Sequence, residues 1–234
     1  MAVPVSSAGL SPGESRLSSM GLGWMPRSTQ VMTVGLLLTV AVVFAQTASQ
    51  WIDFHFFDLR LRVLDSDHHA SVFGALSILA EAAAAAAIGL RAVSGRRLPW
   101  LLVAALLLVL TVPRALVRYE PAFAPYDVPI LVAPLTATFV VLCALTFRDA
   151  RRLRLLVWGS LTLLTCSFAL HAIGPQADAA GSTASLATYT WAYQGTGMLK
   201  HGAELAGWML LATGMVAAVL SSAEDPKSDI EGRA

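Results

Sequence analysis

GMLKHGAELAGWMLLATGMVAAVL, Gly197–Leu220, is an apolar stretch that opens with a lysine and a histidine and carries a glutamate one turn later. A helix of this length rises about 36 Å at 1.5 Å per residue. That exceeds the roughly 30 Å of hydrocarbon in a bilayer. Ionisable groups at bilayer depth cost several kcal/mol unless they pair or face a watery cavity. Lys200, His201 and Glu204 therefore mark a candidate working site.

Outward from this segment, the same pattern repeats. The chain has 234 residues, 56% of them hydrophobic and only 13% charged, which sets it apart from ordinary soluble domains. Further apolar blocks of about twenty residues, the span length of a transmembrane helix, occupy Val31–Ser49, Ala70–Leu90, Leu98–Val117, Val128–Phe147 and Leu155–Ile173. The expected fold is all-α: a polytopic bundle of six transmembrane helices over residues 29–222. Residues 1–28 and 223–234 read as cytoplasmic tails, the first disordered, with Ser, Gly and Pro and no periodicity.

Charge between the spans predicts the orientation. Arg16 and Arg27 precede the first span, Arg91, Arg96 and Arg97 follow the second, and Arg148, Arg151, Arg152 and Arg154 precede the fifth. Lys227 and Arg233 follow the last, whereas the alternate connections carry only Arg60, Arg62 and Arg118. The positive-inside rule then puts both termini in the cytoplasm. Extensive Ala, Leu, Val and Arg usage with little lysine points to a bacterial cytoplasmic membrane. The first span reads as a retained helix, because the small-residue pattern at Phe44-Ala45-Gln46 makes a poor signal-peptide cleavage site. Trp51, Trp100, Trp158 and Trp191 fall at span edges, as headgroup-level rings do.

Between the first two spans, Trp51, Phe54, Phe57, Leu61 and Leu64 fit one helical stripe. This predicts an interfacial amphipathic segment, since an isolated strand would leave its backbone unpaired. Alanines 82–87 and the Ala203, Gly207, Gly214 set predict close helix approach. Pro113, Pro129 and Pro134 predict kinks or stops, and Cys143 and Cys166 read as small packing residues.

Topology gives the polar residues a common depth. Glu81 lies about eleven residues into the second span, roughly 16 Å at helical rise and near the midplane. Arg114, His171, Lys200, His201 and Glu204 all fall in the outer half, and His68 and His69 enter the second span at the same level, so four helices contribute. Lys200 and Glu204 are spaced i,i+4, and His201 and Glu204 i,i+3. The bland reading is snorkelling by Arg114 and Lys200 with local ion pairs.

The leading functional expectation is a non-enzymatic membrane protein with an outward-facing polar pocket. Glu81, Arg114, His171, Lys200, His201 and Glu204 would bind a small anionic ligand, a lipid headgroup or a partner subunit. The second is a transporter or proton relay centred on Glu81. The third is a membrane enzyme or redox protein using the outer histidines. No HxxxH pattern occurs, the one HxxE spacing, His201 to Glu204, does not by itself assign a metal site, and no cofactor or catalytic residue is expected. The expected partners are the lipid bilayer and a second membrane protein or a second copy of this chain. Dispersed arginines provide no track for nucleic acid.

Lys200, His201, Gly202, Ala203, Glu204, Leu205, Ala206 and Gly207 carry a resemblance to a known pattern. The chain resembles a family of uncharacterised bacterial, chiefly actinobacterial, six-helix membrane proteins whose last helix opens with Glu-Glu-Gly-x-Glu-Leu-x-Gly. The third helix of that family tends to end with Asp-Glu and, six residues later, His-Glu. Pro113-Arg114 and Tyr119-Glu120 occupy those positions here. Glu204 and Glu120 fit, whereas Arg114, Lys200 and His201 put bases where the family has acids. The resemblance implies an architecture and no assigned activity.

Overall fold

The computed structural model describes residues 26–58, 61, 63–64, 71–95, 98–119, 151–179 and 191–224. Among them are five helices and no strand: α1 Arg27–Phe56, α2 Val72–Gly95, α3 Leu98–Tyr119, α4 Arg151–Ala179 and α5 Trp191–Glu224. Three of these, over Arg27–Phe56, Val72–Val93 and Gln194–Ser221, are long and apolar enough to cross a membrane. The expected fourth span, Val128–Phe147, lies outside the described residues, as do Cys143, Pro129 and Pro134.

The helices overrun the spans expected from hydropathy. α1 continues through Trp51–Phe56 as one helix, so Trp51 and Phe54 belong to the first span and form no separate interfacial segment. The reason is burial of Gln50 and Asp53, which keeps this last stretch packed on the bundle. Phe57 closes α1 by donating its N–H to the Asp53 carbonyl at 3.0 Å. Asp58 then turns the chain at φ 50, a left-handed conformation that stops a helix and that aspartate tolerates better than most residues. Asp53 Oδ1 accepts the Leu61 N–H at 3.0 Å, folding the connection back under the helix. α3 runs on through Pro113 to Tyr119.

Helix directions follow from pairs of contacts. α5 is the hub, packing on α1, α2 and α4, with α3 packed on α2. Ser77 reaches Glu204, and Arg91 reaches the Ala218 carbonyl. Both pairs are 127 residues apart, so α2 and α5 lie parallel and in register over fourteen residues. α1 is antiparallel to α5, because Gly35 meets Thr213 while Gln50 meets Gln194. α4 is also antiparallel to α5, with Gly207 against Leu164 and Gly214 against Leu156. α3 returns alongside α2, where Gly89 faces Ala104. The starts of α1, α3 and α4 and the ends of α2 and α5 therefore share one end of the bundle, which we term the basic end. It carries Arg27, Arg91, Arg151, Arg152 and Arg154.

The half of the bundle toward that end is an apolar core of Ala84, Ile88, Trp100, Leu107, Leu164, Leu211 and their neighbours. The alanine run supplies Ala84, Ala85 and Ala87 to it. Trp100, two residues into α3, is fully buried within the bundle. Its ring is covered by the Arg91 guanidinium of α2, 5.3 Å from the centroid. Cys166 is exposed on α4 and does not pack internally, since the neighbouring Leu164 and Ser167 take the inward positions of that turn.

α1 is polar inside and apolar outside. Its buried residues are Gln30, Thr39, Gln46, Gln50 and Asp53. Leu37 and Phe44 are 65% and 73% exposed. In water this arrangement would strand the apolar face, whereas in hydrocarbon the polar stripe is what joins helices.

Candidate functional site

The polar residues gather at the end opposite the basic one, where α1 finishes and α2 and α5 begin. Backbone geometry explains why they meet. On α1, Thr39, Gln46, Gln50 and Asp53 are spaced seven, four and three residues apart, which puts them on one face. On α2, Ser77 and Glu81 share a face at i,i+4, and on α5 His201 and Glu204 do so at i,i+3. α5 lies against both other helices, so its polar residues are shared between them.

Glu204 has neighbours on two helices. Its Oε1 accepts a hydrogen bond from Ser77 Oγ at 3.5 Å. Its Oε2 lies 3.6 Å from His201 Nδ1, within ion-pair range when the imidazole is protonated. Glu81 is fully buried, one turn beyond Ser77. The shared register of α2 and α5 puts it level with Trp208, also buried. His201 and Glu204 keep a little exposure, 19% and 15% at their side chains. Burial thus deepens from His201 through Glu204 and Ser77 to Glu81.

The chain matches no known family model, curated protein or solved structure.

A second polar row faces α5 from α1. Gln50 Nε2 donates to Gln194 Oε1 at 3.1 Å, with both side chains buried. Gln46 lies one turn deeper against Gly202, where a Cβ on the glycine would sit 3.6 Å from Gln46 Oε1. Gln46 is fully buried, and neither its Nε2 nor its Oε1 has a hydrogen-bond partner. Asp53 is equally buried, with Oδ1 on the Leu61 N–H and Oδ2 unbonded. No set of three His, Cys, Asp or Glu side chains converges as a metal site among the described residues.

Of the site residues expected from sequence, the structure brings His201 and Glu204 together and buries Glu81 on the helix that supplies Ser77. Lys200 is half-buried on α5. Arg114 and His171 lie on α3 and α4, with side chains outside the described residues. His68 and His69 also lie outside them. Counting only ionisable groups at depth missed Ser77, Gln46, Gln50, Gln194 and, because the first span was ended at Ser49, Asp53. The seven-four-three spacing of polar residues on an otherwise apolar helix was the available signal.

Proposed function

We propose that the chain is a multi-pass, non-enzymatic protein of a bacterial cytoplasmic membrane that moves or senses protons through Glu81. The graded burial from His201 to Glu81 carries this reading. A proton arriving at the slightly exposed imidazole would pass to the Glu204 carboxylate and then, through the Ser77 hydroxyl, toward the Glu81 carboxylate. Hydroxyls and carboxyls alternate as donor and acceptor, as such a path requires. Intramembrane carboxylates characteristically mark proton relays. The apolar core beyond Trp208 closes the path toward the basic end, so Glu81 exchanges with one side at a time, as in coupled transport or sensing.

The polar-pocket reading for an anion draws less support. The most deeply buried charged groups, Asp53 and Glu81, are acids, and carboxylates repel an anion. His201, one of the bases in that reading, faces Glu204. The resemblance to bacterial six-helix membrane proteins remains part of the proposal. α3 and α4 point the same way, with the end of α3 and the start of α4 at opposite ends of the bundle. That supports Val128–Phe147 as a fourth span and six in total. The basic residues collected at one end support cytoplasmic termini.

The decisive measurement is proton entry into proteoliposomes containing a pH-sensitive dye, driven by a potassium diffusion potential. We expect flux above protein-free liposomes and a drop of at least about tenfold in Glu81→Gln, the scale of losing one needed proton carrier. Wild-type flux equal to that of empty liposomes overturns the relay.

A further inference from the structure

The row on α1 violates a packing rule in a way the apolar core does not. A buried carboxamide with neither end hydrogen-bonded is costly relative to a paired one. Gln46 meets that description at both polar atoms, and Asp53 Oδ2 repeats it seven residues further along the same face. Proteins retain such violations where function requires them. An apolar residue of similar length would fill the space beside Gly202 without this cost.

The chemistry of the two positions identifies the guest. A carboxamide presents a donor and an acceptor side by side, and a carboxylate oxygen presents an acceptor. A metal ion would satisfy Gln46 Oε1 and leave Nε2 stranded. Water satisfies both ends, and sites with several polar partners are where buried water is held. We propose that the α1–α5 seam is a water-filled entry route for protons, running from Asp53 past the Gln50–Gln194 pair to Gln46 and the level of His201 and Glu204. This rests on the relay reading for its purpose but not for its existence.

The transfer balances. A hydronium at the Asp53 end breaks one O–H bond as the next water forms one, and each water along the seam repeats the exchange. The final O–H bond forms on the Glu204 carboxylate, and a neutral water remains behind. Gln46 neither gains nor loses a proton in this sequence; it is a positioning residue that holds the water. Among the described residues, the titratable and charged groups on the α1, α2 and α5 stretches toward this end are Asp53 and His55 on α1, Glu81 on α2, and Lys200, His201 and Glu204 on α5.

Two measurements on the full-length protein test the proposal separately from the relay. First, with both native cysteines replaced by serine, Q46C and F44C are treated with a small water-soluble methanethiosulfonate. Thiols react as thiolates, which form only where water reaches them. We expect Q46C to react at least tenfold faster than F44C, whose position faces outward. Equal rates overturn the water route whatever the flux assay gives. Second, Gln46→Leu should lower proton flux at least tenfold, with a melting temperature equal to or above wild type, while Gln46→Glu retains flux. Flux within twofold of wild type in Gln46→Leu, alongside loss in Glu81→Gln, overturns the route and leaves the relay standing. Absence of flux in the wild type overturns the relay, and the labelling rates then decide the route alone.

Discussion

At the scale of single residues, close contacts separate glycines that matter for packing from those that do not. A Cβ at Gly207 would sit 2.7 Å from Leu164 Cγ and 3.2 Å from the Ser160 carbonyl. Gly207→Ala should therefore destabilise the protein by about 1–3 kcal/mol, the range for overpacking. Gly202→Ala meets only ordinary contacts with Gln46 and Val43, so its melting temperature should stay near wild type. Reversal of that order in a thermal melt would refute the close approach of α4 and α5. Ser160 Oγ donates to the Gly207 carbonyl at 2.7 Å across the same interface. Ser160→Ala should cost about 0.5–1.5 kcal/mol, the usual worth of one such bond.

At the scale of elements, the α2–α3 hairpin depends on Arg91. Its guanidinium covers Trp100 and donates to the Ala218 carbonyl at 3.3 Å, joining α2, α3 and α5. Arg91→Ala should cost about 2 kcal/mol from the charged hydrogen bond and the lost ring contact. Arg91→Lys should recover only part of this, since lysine lacks the planar guanidinium. Equal melting of Arg91→Ala and wild type would show that the contact adds nothing. Helices as elements were legible in the sequence, because block length against bilayer thickness is a strong signal. Their ends were not. Hydropathy falls where α1 reaches Gln50 and Asp53, yet the helix continues there because both side chains are buried, Gln50 against Gln194 of α5 and Asp53 on the Leu61 N–H. The same blind spot hid half of the candidate site. Lys200, His201 and Glu204 stand out by charge, whereas a glutamine such as Gln46 announces itself only by its spacing from Thr39 and Gln50. Which helices would adjoin α5 could not be read from spans of similar composition.

At the scale of the whole molecule, helix directions make a labelling pattern. Cysteines placed at residues 59–60 and at residues 96–97 should react with an impermeant reagent from opposite sides of the membrane. Epitopes at the two termini should both be reached from the side of residues 96–97. Labelling of 59–60 and 96–97 from one side would break the arrangement of α1, α2 and α3. The expected orientation rests on the arginine-rich connections, and the bundle gathers at one end the described helix ends that adjoin them.

The shared offset of Ser77–Glu204 and Arg91–Ala218 has a mechanical consequence. Two ties about 21 Å apart, at fourteen residues of helical rise, lock α2 and α5 together like a pair of dowels. Sliding one helix along the other by a turn would break both at once. Any rearrangement that opens Glu81 to the other side must carry α2 and α5 as a unit or twist α5 about its own axis. In the proposed relay the moving part would be a crank and not a piston.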